Sequence, residues 1–244
     1  MKKILILDWD GTITSEIFPH YYFIEDDGYA GGTAGKRFSD ELAEAKKDKA
    51  HEATAFVSLI QKILAGRKLT PDEIREHQKT LKFNPGAEDF FDNTKTQQSE
   101  CYIVTSGFME LLHNMPITEN INKIYGSTFD GKIMSYKDKA EVIKEILKIN
   151  GRQENDCQNV FYVGDGVTDA PAMRYVHENG GTAILVHPKG ATGEVRDRIE
   201  KKGNIIDHYA EADYRIGSKL FNILTDRTKE TEKLPPQGKD TADE

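Results

Sequence analysis

Two aspartates separated by a single residue, Asp8 and Asp10, stand in the segment Asp8-Trp9-Asp10-Gly11-Thr12, directly after the apolar run Ile4-Leu5-Ile6-Leu7. An uninterrupted apolar run of this length reads as a buried strand of a parallel sheet. The carboxyl end of such a strand opens into the crevice where α/β sheets bind ligands. Residues i and i+2 of an extended segment share a side, so both carboxylates can face one site. Two negative charges that close repel unless a cation or a shared proton intervenes, which points to a metal or to acid–base work. The same letters also suit an ordinary turn, since Asp and Gly are common turn formers.

Three further segments bear on that choice. Cys101-Tyr102-Ile103-Val104 is a second short apolar strand, ending in Thr105-Ser106-Gly107-Phe108 ahead of an expected helix. A hydroxyl beside free backbone amides at a helix start cradles phosphate, although Thr-Ser-Gly also serves a plain helix start. Lys139 falls near the beginning of an amphipathic helix whose apolar positions are Ala140, Val142, Ile143, Ile146, Leu147 and Ile149. A lysine in a first turn runs against the helix dipole, yet a single lysine is commonly just solvated surface. Val160-Phe161-Tyr162-Val163 reads as another buried strand, followed by Gly164-Asp165-Gly166-Val167-Thr168-Asp169. Glycines on both sides of Asp165 let the backbone turn sharply and approach a ligand. Asp165 and Asp169 can together reach a hard cation such as Mg²⁺; Asp169 can equally cap the helix that begins Ala170-Pro171.

In this order the four segments resemble the haloacid dehalogenase (HAD) superfamily, whose pattern is a strand with DxDG[TS], a strand ending in Ser or Thr, a lysine, and a strand followed by GDxxxD. The likeness spans Asp8 to Asp169 and is greatest to the phosphoserine-phosphatase-like branch. One departure is Thr105-Ser106-Gly107 where that branch commonly has Ser-Gly-Gly; aligned on Gly107, Thr105 takes the phosphate-binding hydroxyl, with Ser106 as second candidate. Trp9 stands where the family often has Phe, with its side chain expected to point away from the site. The resemblance implies that Asp8 is a nucleophile forming an aspartyl-phosphate and Asp10 the general acid and base. It implies Mg²⁺ held by Asp8, the backbone carbonyl of Asp10, and Asp165, with Asp169 assisting. Thr105, Ser106, Gly107 and Lys139 would bind the phosphoryl group. A small phosphomonoester is the implied substrate. The alternatives are a phosphotransferase or mutase using the same intermediate, and a non-catalytic phosphate-binding module.

The elements that must position these residues form an α/β fold: a Rossmann-like three-layer core with a parallel sheet, plus a smaller, mostly helical cap inserted after the first strand, as in the C1 class. Residues 1–14 and 84–228 are expected to form the core, 15–83 the cap and 229–244 a disordered, polar, Pro-containing tail. Within the cap, Phe38, Leu42, Phe56, Val57, Ile60 and Leu64 recur with near-helical spacing, and Thr70-Pro71-Asp72-Glu73 is a strong helix start. Glu16 and Tyr21 are candidate substrate contacts, alongside His20, Tyr22, Arg37 and Arg67. Past Asp169, strands are expected at Thr182–Val186 and Asn204–Ile206, and helices at Gly190–Lys202 and Ile216–Thr225.

A chain of 244 residues accommodates one good core and a lesser domain. A formal charge of −8 argues against a nucleic-acid backbone as partner. Its apolar runs are too short to span a bilayer, and the run after Lys3 breaks at Asp8, against a secretory signal. Two cysteines, Cys101 and Cys157, give no disulfide framework, so a cytoplasmic location is expected.

Overall fold

The computed structural model describes residues 2–16, 54–67, 69–92, 99–201 and 203–225, with isolated positions 40, 41, 43, 44 and 47. Strand β1 (Lys3–Leu7) sends Leu5 and Leu7 to one side and Ile4 and Ile6 to the other, all fully buried. Helices therefore cover both faces, as parallel sheets require. On one side lie α3 (Ala87–Asp92), with Phe90 and Phe91, and α7 (Lys219–Thr225), with Leu220 and Leu224. On the other lie α4 (Lys139–Ile149), with Val142, Ile143 and Ile146, and α5 (Ala170–Glu178), with Ala172, Met173 and Val176.

With β2 (Ser99–Phe108), β3 (Lys123–Ser127), β4 (Val160–Gly164), β5 (Thr182–His187) and β6 (His208–Glu211), the sheet has six parallel strands in the order β3-β2-β1-β4-β5-β6. The chain builds outward from β1 on one side and then on the other, so the order reverses around β1. Such a reversal opens a crevice at the carboxyl ends of the central strands. Leu7 pairs with Ile103 on one side and Val163 on the other, so the segments after β1, β2 and β4 reach that crevice together.

Two helices that follow β1 in the chain, α1 (Ala55–Arg67) and α2 (Pro71–Thr80), pack near this edge, with α1 beside Asp10 and Ser106. Helix α2 starts as predicted, with a capping box: Glu73 N donates to Thr70 Oγ1 at 3.2 Å and Thr70 N to Glu73 Oε2 at 2.8 Å. Leu59, Ile60 and Leu64 pack on Phe108 and Leu111 of the core. Gln61 Nε2 donates to Thr128 O at 2.6 Å and Gln78 Nε2 to His113 O at 2.9 Å, tying each helix to core backbone. The outgoing and returning chains cross at an antiparallel bridge between Thr14 and Phe83. There Asn84 Nδ2 donates to both Thr12 O and Thr14 O, at 2.8 and 3.0 Å.

Several elements differ from expectation. The last strand is His208–Glu211, not Asn204–Ile206, because Asp207 Oδ2 takes the Ala183 amide at 2.7 Å and starts the ladder only beyond it. Ile205 is buried against the sheet without joining it. Helix α6 (Glu194–Glu200) is shorter than 190–202, since Gly193 before it has φ +85°. Helix α7 begins at Lys219, not Ile216, which is exposed. The helix expected after Phe108 is a 3₁₀ turn, Met109–Leu111, whose last carbonyl accepts from Gln78 Nε2 at 3.1 Å. Edge strand β3 was not anticipated: it is short and contains Gly126. Among the described residues, no helix is long and apolar enough to cross a membrane. Cys101 and Cys157 are buried free thiols.

Candidate active site

Asp8 leaves the end of β1 with its amide donating to Val163 O at 2.9 Å, which fixes it against β4. The chain then winds around one carbonyl: Trp9 O accepts from the amides of Thr12, Ile13 and Thr14 at 3.3, 2.9 and 3.1 Å. This tight loop brings Asp10 beside α1. The Trp9 side chain is buried in the core, edge-on to Phe83 at a centroid distance of 6.1 Å, away from the carboxylates.

Lys139, the first residue of α4, is 1% exposed, so the reading of it as solvated surface fails. Its Nζ lies 2.9 Å from Asp8 Oδ1 and 2.8 Å from Asp169 Oδ1. Asp169 ends a 3₁₀ turn (Val167–Asp169) and is fully buried. Its Oδ2 accepts from Gly166 N at 3.1 Å, so it braces the loop that carries Asp165. Tyr162 OH donates to Asp169 Oδ1 at 2.6 Å. Donor oxygens of Asp8, Asp165 and Asp169 all lie within 4.8 Å of one another; the Asp10 carboxylate is not one of this trio.

Two glycines make the convergence possible. Gly11, at φ +70°, would put a Cβ 2.2 Å from Asp165 Oδ2, and Gly164 would put one 2.4 Å from Asp169 Cγ. Any side chain at either position would occupy space now filled by a carboxylate.

In the segment after Val104 the pairing of β2 with β3 shifts register, and such an irregularity re-aims side chains. Thr105 is buried and its Oγ1 accepts from Gly107 N at 2.9 Å, shaping the loop from within. Ser106 O accepts from Ser127 Oγ at 2.8 Å, which anchors the loop to β3. Ser106, Gly107 and Phe108 line a cavity of about 40 Å³ with Asp10 and with Phe56, Val57 and Ile60 of α1. A larger cleft of about 700 Å³, between α2 and the starts of α3 and the Pro116–Thr118 turn, contains none of the candidate catalytic groups.

Crowding of the acids shows in their proton affinities. Burial, reinforced by Asp169, pushes Asp8 up to about 6 against the pull of Lys139. Burial and the neighbouring Asp8 push Asp10 up to about 8. Burial, Asp169 and Asp8 push Asp165 up to about 8. Burial alone would lower the Lys139 ammonium, but Asp169 and Asp8 outweigh it and hold it above its ordinary value. Asp8 and Asp165, both held above the usual carboxylate range, would be relieved by a hard divalent cation, and their all-oxygen donor set suits Mg²⁺.

Asp8, Lys139, Asp165 and Asp169 thus meet in one place, with Asp10, Ser106 and Gly107 around one small cavity beside them. Glu16 is exposed and pairs with Lys82 at 2.9 Å, while its carbonyl accepts from Gly11 N at 3.2 Å. Tyr21, His20, Tyr22 and Arg37 lie outside the described residues, as does the Arg67 side chain. Sequence reasoning passed over Tyr162 as part of an apolar strand; the available signal was one hydroxyl inside an otherwise apolar run.

The profile of a family described as haloacid dehalogenase-like hydrolase matches residues 5–174. An uncharacterized protein of Borreliella burgdorferi is 27% identical over 195 residues, 64% of this chain and 63% of that protein. The chain thus spans less than two thirds of that relative's length. Among solved structures, a phospho-aspartyl intermediate analogue of phosphoserine phosphatase superposes with a TM-score of 0.58 at 18% identity, covering 91% of this chain and 97% of that one. A dehalogenase with an intermediate complex superposes with a TM-score of 0.55 at 14% identity, covering 92% and 97%. The fold is therefore shared by phosphatase and dehalogenase, and the choice between chemistries falls to the site.

Proposed function

Since the chain belongs to the haloacid dehalogenase-like hydrolase family, we propose that it is a Mg²⁺-dependent phosphatase that hydrolyses a small phosphomonoester through an aspartyl-phosphate on Asp8. The observation that carries this reading is the placing of Asp10: its carboxyl stands outside the Asp8-Asp165-Asp169 trio and lines the small cavity with Ser106 and Gly107, where burial and Asp8 raise its proton affinity. A proton donor at that position serves an alcohol leaving group, whereas a halide needs none.

In this account an Asp8 carboxylate oxygen attacks phosphorus. A new O–P bond forms, the ester P–O bond breaks, and Asp10 gives its proton to the departing oxygen. Asp10, now a carboxylate, takes a proton from water as that water attacks phosphorus. Inorganic phosphate leaves and Asp8 is restored. Lys139 and the loop Thr105-Ser106-Gly107 bind the phosphoryl oxygens and offset their charge. Asp8, Asp165 and the backbone carbonyl of Asp10 would hold the cation, with Asp169 behind them; bound there, it supplies charge neutralisation for an anionic substrate facing several acids.

The test is phosphate release from a panel of small phosphomonoesters, with Mg²⁺ and with excess EDTA, using Asp8→Asn as control. Metal-dependent release that the variant lacks supports the reading. No release from folded, Mg²⁺-bound protein sinks it. Phosphoryl transfer to an acceptor hydroxyl is the second reading, favoured by the apolar side chains of Phe56, Val57 and Ile60 over Asp10, which restrict water. Labelled acceptor with little free phosphate would support it.

A further inference from the structure

Resting on that phosphatase reading, we propose that the Tyr162 hydroxyl is a positioning group that commits Asp169 to Lys139 and keeps it off the cation. Tyr162 lies within β4, fully buried, and its phenol would carry a desolvation cost without a partner. The partner is Asp169 Oδ1, at 2.6 Å, the shortest of the three contacts on that carboxylate. The others are Lys139 Nζ on the same oxygen at 2.8 Å and Gly166 N on Oδ2 at 3.1 Å. Hydrogen bonds to an ionised acceptor are the strong ones, so the carboxylate is held from three directions. Asp169 Cγ also packs against Gly164, where a Cβ would come within 2.4 Å of it.

This restraint has a purpose because Asp169 stands within 4.8 Å of the Asp8 and Asp165 oxygens. An unrestrained Asp169 would supply a third carboxylate. Ca²⁺ accepts many oxygen ligands in flexible geometry, whereas Mg²⁺ demands a regular set and keeps its waters. The Tyr162 hydroxyl thus tilts the site toward Mg²⁺. It also fixes Lys139, which donates to Asp169 and stays ion-paired with Asp8 at 2.9 Å.

The experiment is calorimetric titration of Mg²⁺ and of Ca²⁺ into the apo chain, with initial rates on p-nitrophenyl phosphate. Wild type is compared with Tyr162→Phe, which removes only the hydroxyl. Tyr102→Phe is the control: it is another buried strand tyrosine, whose hydroxyl accepts from Asn150 at 2.9 Å, away from the acids. Tyr162→Phe should bind Ca²⁺ more tightly relative to Mg²⁺ and lose about tenfold in kcat, the low end of the range for a group that orients site residues without touching the substrate. Tyr102→Phe should match wild type. In an Asp169→Asn background, Tyr162→Phe should no longer move the Ca²⁺/Mg²⁺ ratio. An unchanged ratio, or equal weakening of both cations together with a lower Tm, overturns the inference while an active wild type leaves the phosphatase reading standing. A wild-type chain that binds neither cation and hydrolyses no ester removes both.

Discussion

Gly11→Ala separates the geometry of this site from the stability of the fold. At φ +70° an L-residue is strained by roughly 1–2 kcal/mol, a loss a folded domain with about 5–15 kcal/mol of stability survives. The larger effect is local. The new methyl would sit 2.2 Å from Asp165 Oδ2, against the 3.4 Å at which ordinary contacts begin. The carboxylate must therefore retreat by more than an ångström, out of the trio with Asp8 and Asp169. Misplacement on that scale costs about 10²-fold in rate. We expect kcat on a phosphomonoester to fall by about that factor and Mg²⁺ binding by calorimetry to weaken, while the thermal midpoint drops only modestly. A folded Gly11→Ala protein with wild-type kcat and wild-type Mg²⁺ affinity would refute the claim that Asp165 must occupy this space.

Two other perturbations probe separate parts of the account. Asp10→Asn removes the proton donor but not the nucleophile, so the first step should survive for p-nitrophenyl phosphate, whose leaving group needs no proton, and be lost for an alkyl phosphate. Rapid-quench single turnovers with each ester check this, and equal loss on both would argue against Asp10 as the acid. His77 of α2, buried and 1% exposed, is depressed by burial from 6.5 to about 4. Between those values the unfolded chain holds a proton that the folded one lacks, so stability is full above 6.5 and declines as pH falls toward 4. Urea unfolding should show His77→Met losing less stability than wild type between neutrality and pH 5, by about 2 kcal/mol; parallel curves would contradict this.

The core strands and most acids of the candidate site were legible in the sequence for a plain reason. Parallel strands are apolar throughout, and residues delivered at their carboxyl ends interrupt that run at once, as Asp8 interrupts Ile4–Leu7 and Asp165 follows Val160–Val163. Lys139 was harder, because its 1% exposure follows from where α4 docks and not from its own neighbours in the chain. Tyr162 was hidden by its surroundings: its hydroxyl matters only because the turn after β4 folds Asp169 back onto it. The displaced last strand shows the same limit, since Asp207, a side chain capping a neighbouring strand, decided where pairing began. The substrate was not legible, because the apolar face of α1 is patterned for packing and for lining the cavity alike.

The central claim is that Asp8 is the nucleophile. Asp10→Asn protein mixed with p-nitrophenyl phosphate and Mg²⁺, quenched in acid and mapped by peptide mass spectrometry, tests it directly, because the variant can accept a phosphoryl group but lacks the base that releases it. The account predicts one phosphoryl group per chain, located on Asp8 and absent from an Asp8→Asn, Asp10→Asn double variant. Phosphorylation at another residue, or steady hydrolysis by Asp8→Asn protein, would contradict it.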